Sequence, residues 1–324
     1  MCENDYLYAS SLVRASEGGG SAGERLERIL SSTNAESLRK NAAEIFEVEE
    51  KDTLEAVLES ALLRCTNTLR SAVPDLSVFA PLLYKYDCNN IKIALKSALL
   101  GINCKNMLSG AGTVDPHTVA KCAETGDFGK IPLKMANAAK NARKAYLETG
   151  EARAVDILLD CACFEDMKEA AEKGSVPLIS EIVSATADKV NLLIYLRVQR
   201  MNMPEDSAKT LISRALVTGG KIPLSAFSKD TEYLKNNLGD CIFKKTFAEI
   251  DVNALDFTVV ERIFDDIILS LVSDVKFIAF GPEVPLRYLA VCEAEIQNCR
   301  VMARCLAKGM DKADARERMR CAYV

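Results

Sequence analysis

Twelve cysteines and one histidine are the residues of this 324-residue chain whose types invite chemistry. Thiolates could hold a metal, form disulfides or attack an electrophile. Their spacing argues against the first two, because the closest pair is Cys161 and Cys163 and no CxxC occurs. A structural zinc site needs four soft ligands, usually supplied as two close pairs. No leader of the secretory kind precedes them, so the thiols are expected to sit reduced, as small buried apolar residues. A reactive thiolate needs electropositive surroundings. Cys161 and Cys163 are flanked by Asp160, Glu165 and Asp166, which oppose ionisation.

Other constellations fare no better. A Ser–His or Cys–His pair would have to use His117, which follows Asp115-Pro116 at a predicted helix start, where an imidazole is ordinarily exposed. GxxxxGK[ST], GxSxG and HExxH are absent. Gly18-Gly19-Gly20-Ser21 lacks the lysine and the preceding strand of a phosphate cradle and reads as a turn. The acid pairs Asp265/Asp266 and Glu49/Glu50 read as solvated helix faces. The residues present therefore point to no catalytic site, no metal and no cofactor.

Composition narrows the class further. Hydrophobic residues at 49% and charged residues at 27% suit a folded globular chain with an aliphatic core, since Trp is absent and aromatics are 6%. A net charge of −5 with interspersed signs gives no basic stripe for nucleic acid. A membrane span needs roughly 20 consecutive apolar residues, and the most apolar stretches, such as Ile263 to Val275, are broken by charges, here Asp265, Asp266 and Asp274. Any membrane association must then run through a partner.

The elements that would position any site are helical. Thr53–Arg70, Lys134–Leu147 and Ala254–Val272 carry apolar residues at i, i+3, i+4 and i+7, and period-2 alternation is scarce. The predicted class is all-α. Breaks fall at Leu108–Pro116, Gly126–Pro132, Gly174–Pro177, Gly219–Pro223 and Gly281–Pro285.

Three stretches repeat: DCNNIKIALKSALLG from Asp87, DKVNLLIYLRVQRMN from Asp188 and EIQNCRVMARCLAKG from Glu295. In each an acid is followed three residues later by Asn (Asp87/Asn90, Asp188/Asn191, Glu295/Asn298). Nine residues after the acid comes a base (Lys96, Arg197, Arg304), and fourteen after it comes Gly101, Asn202 or Gly309. Gly and Asn tolerate the left-handed conformation that closes a helix. Each stretch thus predicts the C-terminal half of a helix of about 25 residues, roughly 38 Å long at 1.5 Å per residue, running from Leu76, Val176 and Val284. The acids lie 101 and 107 residues apart, and Gly112-Thr113-Val114 and Gly220-Lys221-Ile222 each open the following unit. Three helical units follow, at 1–108, 109–212 and 213–324. The acid and Asn share a helix face, and the Asn, set among Leu, Ile and Val, is expected to need a partner at a structural seam or interface. The bases read as solvated.

The final segment, Val284 to Val324, resembles the C-subunit family of V-type and A-type rotary ATPases (the d subunit in eukaryotes). Glu293, Glu295, Ile296, Asn298 and Arg300 match that family's terminal helix, and Gly309, Arg316, Glu317, Arg318, Arg320, Tyr323 and Val324 match its finish. Tyr6, Tyr8-Ala9, Arg14 and Glu24-Arg25-Leu26 look like its opening, and Asp87 to Gly101 is similar to its first repeat helix. Gly112-Thr113-Val114 with Gly126-Asp127-Phe128 looks like the pair that follows. Gly18–Gly20 interrupts an opening helix that the family carries unbroken, and the cysteine count is unusual for it.

The resemblance implies three similar helical domains about a pseudo-threefold axis, forming a funnel. It implies a non-catalytic central-stalk piece, one copy per complex, peripheral on the cytoplasmic side of the membrane. One face would seat on the membrane proteolipid ring and the funnel would hold central-stalk subunits D and F, passing torque between them. The alternative from the repeats alone is a helical scaffold for some other protein partner.

Overall fold

The computed structural model describes residues 3–16, 21–103 and 107–321. Gly18–Gly20, Cys2, Cys104, Tyr323 and Val324 lie outside the described residues. The described chain is all-α, built of α-helices and short 3-10 turns with no strand. By packing it divides into two units, residues 1–76 with 256–324, and residues 77–255.

The first unit joins both ends of the chain. It holds α1 (Leu7–Ser16), α2 (Ala22–Leu30), α3 (Ala35–Ile45) and α4 (Leu54–Ala72), with α13 (Phe257–Ser270), α14 (Glu283–Ala307) and α15 (Lys312–Arg318). Several starts are set locally by residues whose side chains accept from the otherwise unpaired first-turn amides. Ser21 and Glu24 form a reciprocal capping box before α2. Thr53, Asp256 and Asp311 cap α4, α13 and α15. Helix α14 packs against α1 to α4, burying Val291, Cys292, Ile296 and Cys299, while Leu58, Leu62 and Leu69 of α4 are buried in the same unit.

The second unit runs from α5 (Ala80–Leu100) through α6 (Pro116–Thr125), α7 (Leu133–Thr149), α8 (Ala152–Lys173), α9 (Pro177–Arg200), α10 (Glu205–Ala215), α11 (Thr231–Asn236) and α12 (Lys244–Glu249). Helix α8 packs against α5, α7 and α9, burying Val155, Leu159, Cys163 and Met167.

The three repeat helices are α5, α9 and α14, close to the predicted spans. The first begins later than its pattern suggests, because Leu76–Phe79 is a 3-10 turn and Pro81 lies in the first turn of α5. All three stops are left-handed: φ is 68° at Gly101, 47° at Asn202 and 65° at Gly309. Beyond two of them the chain folds back on the last turn, with Ile102 N–H donating to the Ser97 carbonyl and Met310 N–H to that of Cys305, both at 3.0 Å. Packing places α5 and α9 in the second unit and α14 in the first, because the chain's two ends share one core.

Candidate functional site

Each repeat Asn holds the backbone N–H and C=O of one downstream residue with the two ends of its side-chain amide. Asn90 Nδ2 donates to the Ser109 carbonyl at 2.7 Å, and the Ser109 N–H returns to Asn90 Oδ1 at 2.8 Å. Asn191 does the same to Val217 at 2.9 and 2.8 Å, and Asn298 to Arg320 at 2.9 and 2.7 Å. All three Asn are at most 1% exposed. A buried amide needs such partners, and the backbone it grips needs the Asn in return.

Two of the acids reinforce the grip one step further along. Asp87 accepts from the Thr113 and Val114 amides at 2.9 and 3.0 Å, and from the Thr113 hydroxyl at 2.6 Å. Asp188 accepts from the Lys221 and Ile222 amides, both at 3.0 Å. The carboxylates press against Gly112 and Gly220, where a Cβ would lie 2.2 and 2.1 Å from the nearest carboxylate oxygen. The Gly-led tripeptides recognised as unit openings are thus the strands of backbone that the acids hold. Burial pushes the Asp188 carboxyl above the usual range, opposed by the Ile222 and Lys221 amides and the Cys241 thiol. Burial and that carboxylate in turn push the Cys241 thiol up to about 12, against the Phe243 amide.

The third acid departs. Glu295, longer by one methylene, meets Arg25 Nε of α2 at 2.6 Å, with both side chains largely buried. This ion pair joins two distant parts of the sequence.

The bases divide. Lys96 reaches Asp156 of α8 at 2.6 Å, one turn from a second bridge between Lys92 and Asp160 at 2.5 Å. Arg197 and Arg304 are exposed. Because the Lys96 pair is about one-third exposed on each side, Lys96→Ala is expected to lower stability by about 1 kcal/mol or less, read as a small shift in thermal midpoint.

Sequence reasoning missed three groups. Asp265 and Asp266 are not a solvated face: Asp265 pairs with Arg320 at 2.8 Å, and Asp266 pairs with Arg262 and accepts the Cys321 amide at 2.7 Å. The signal was their place in an apolar run, which a solvated pair would not favour. Asp166 of α8 is buried and accepts the Lys134 and Met135 amides at 3.1 and 2.9 Å, capping α7 from outside. The hint was local, since α7 opens on Pro132, which has no capping side chain. Burial raises the Asp166 carboxyl, and those two amides oppose the rise.

Among the described residues no group of three or more His, Cys, Asp or Glu could hold a metal ion, and His117 is exposed. Cys163 is buried, and a neighbouring Cys88 thiol together with burial raises its pKa well above that of a free thiol. Burial and then Asp160 raise that of Cys161. Cys321 is exposed. A maleimide is therefore expected to label Cys321 while Cys161 and Cys163 stay unmodified. Mass mapping of a timed reaction checks this, and fast labelling of the pair would revive thiol chemistry.

The profile of the ATP synthase (C/AC39) subunit family matches residues 22–318. The chain belongs to that family. The match covers all nine repeated acid, Asn and basic positions. The chain is similar to the C subunit of the V-type sodium ATPase of Enterococcus hirae, at 21% identity over 287 residues, covering 86% of this chain and 85% of that protein. It is also similar to the C subunit of the A-type ATP synthase of Thermococcus gammatolerans, at 22% identity over 349 aligned positions, covering 96% and 89%. Along this C/AC39 protein no helix of the described residues is long and apolar enough to cross a membrane.

Proposed function

We propose that this C/AC39 protein is a non-catalytic socket of a rotary V/A-type ATPase, coupling the shaft formed by central-stalk subunits D and F to the membrane proteolipid ring. One copy would sit peripherally on the cytoplasmic side, with the repeats at 1–108, 109–212 and 213–324 arranged as a three-part funnel. The family match supports this reading. The observation that carries it mechanically is the thrice-used Asn clasp.

A torque-passing part must resist deformation where long helices turn into connecting chain, and those junctions are normally the soft points of a helical protein. Here connecting chain downstream of each repeat helix, before α6 for α5, after α10 for α9 and after α15 for α14, is held back to that helix by paired hydrogen bonds from a buried Asn. Packed interiors transmit strain because they have low compressibility. A socket of this kind also uses broad faces rather than one deep polar pocket.

The test is purification of the tagged chain from native membranes, with mass identification of what accompanies it. Recovery of stalk subunits, proteolipid and the catalytic A and B subunits is the expected result. Recovery of an unrelated soluble partner with none of these would overturn the coupling role in favour of a generic helical scaffold.

A further inference from the structure

Packing in the first unit leaves one loop unexplained, the link from the 3-10 turn Ser273–Phe277 to α14. Lys276, Phe277, Ile278 and Ala279 are exposed one after another, and Phe277, at 79%, is the most exposed large hydrophobic side chain among the described residues. Contiguous apolar exposure of this kind marks an interaction site more often than a single stray residue does.

The exposure is not slack chain. Val275 is buried, and the Ile278 amide donates to its carbonyl at 3.0 Å. The Arg14 guanidinium donates to the Ile278 carbonyl. Ser10 Oγ donates to the Gly281 carbonyl at 3.5 Å and accepts from the Gly281 amide at 3.3 Å. The loop is thus pinned to α1 at Ile278 and at Gly281, and its start is anchored by the buried Val275, so presenting its apolar residues costs little further ordering on binding.

Beside it lies a cleft of about 180 Å³ lined by Arg14, Val275, Lys276, Val284 and Arg287. Three of the five are cationic and none is acidic, in a chain whose net charge is −5. The nearby Glu283 carboxylate is folded against Gly281, and Asp274 is the exposed acid of the preceding turn. Lys276 Nζ stands 5.4 Å from the Phe277 ring centre, so cation and aromatic share one surface.

Against the expectation that membrane association runs through a partner, we propose that this loop docks on an anionic phospholipid: Arg14 and Lys276 at the cleft receive the headgroup while Phe277 and Ile278 enter the interfacial layer. A free phosphate would use the cations but leave the apolar side chains in water. An apolar protein groove would take the phenyl ring but would have to desolvate the adjacent Lys276 ammonium. An anionic bilayer surface offers both complements side by side. The loop geometry alone carries this assignment, independently of the coupling role.

The absence of tryptophan makes a direct test available. Phe277→Trp in the full chain introduces a single indole at the loop. With vesicles of phosphatidylglycerol and phosphatidylcholine its emission is expected to shift to the blue, and with phosphatidylcholine alone to stay unshifted. In co-sedimentation of the otherwise native chain, Phe277→Ser and Lys276→Glu are each expected to weaken binding on the order of tenfold, with the thermal midpoint of Phe277→Ser unchanged because the ring is exposed.

Equal binding to both vesicle types, or no loss with Phe277→Ser, overturns the proposal. So does displacement by inorganic phosphate that is indifferent to Phe277. Failure to bind vesicles, with Phe277→Ser instead abolishing capture of stalk or proteolipid subunits, assigns the loop to a protein contact and also overturns it. None of the vesicle measurements depends on the ATPase complex, so the coupling role stands or falls separately.

Discussion

Replacing Asn191 with leucine is expected to cost about 2–4 kcal/mol, lowering the thermal midpoint by roughly 5–15 °C. The shapes are similar, so packing changes little. What is lost is the pair of bonds to Val217, at 2.9 and 2.8 Å, in a place where neither the Val217 N–H nor its carbonyl can turn to water, since Val217 is 1% exposed. Each stranded group carries a desolvation cost of about 1–3 kcal/mol, and the added apolar surface of leucine offsets part of it. Arg197→Ala, two turns along the same helix and on its exposed face, is expected to cost about 1 kcal/mol or less. Calorimetry or circular dichroism melts rank the two. Equal effects would show that the Asn is not what fastens the chain after α10 to α9.

The second large effect is expected at Gly220. Its backbone is not left-handed, so the requirement for glycine there is purely one of space. A Cβ would meet Asp188 Oδ1 at 2.1 Å, Cγ at 2.9 Å and the Asp188 amide nitrogen at 3.2 Å. Asp188 is short, buried and tied to two amides, so it cannot swing aside. Gly220→Ala should therefore cost about 2–4 kcal/mol through overpacking and loss of the clasp. Combining it with Asp188→Ala removes the two nearest clashes. The double variant should then lose at least about 1 kcal/mol less than the sum of the singles. Strict additivity in denaturant melts would mean that the glycine makes room for something other than the carboxylate. Gly112, with the corresponding distances of 2.2, 2.9 and 3.2 Å to Asp87, should behave alike.

The two results bear on function through stiffness. If the protein passes torque, clasp variants that still fold should assemble but couple less tightly, while variants of the exposed bases should not. The clasps lie in both packed units, so their loss can be tested in each separately.

Much of this architecture is legible along the chain because helices signal their own ends. Apolar spacing marks α4, α7 and α13, and prolines sit in the first turns of α5, α6, α9 and α14. Gly101, Asn202 and Gly309 announce left-handed stops that the backbone adopts. These are interactions within one or two turns, set by residue type and by steric limits on φ. The recurrence of acid, Asn and stop is likewise a property of the sequence, as is the need of a buried Asn for partners.

Which partners it finds is another matter. The residues gripped lie 19, 26 and 22 positions beyond Asn90, Asn191 and Asn298, and no fixed offset could have named them. Glu295 finds Arg25 across 270 residues, and Asp166 caps a helix that begins 33 residues before it. Asp265 and Asp266 look like surface charge until the segment after α15 comes to lie against them. The repeat helices and their left-handed stops were thus determined by the sequence alone, because those hydrogen bonds close within the local chain, whereas the start of α7 was not. The clasps, the Arg25–Glu295 pair and the exposed Phe277 loop were decided by tertiary structure, because burial and long-range pairing exist only once the helices have packed.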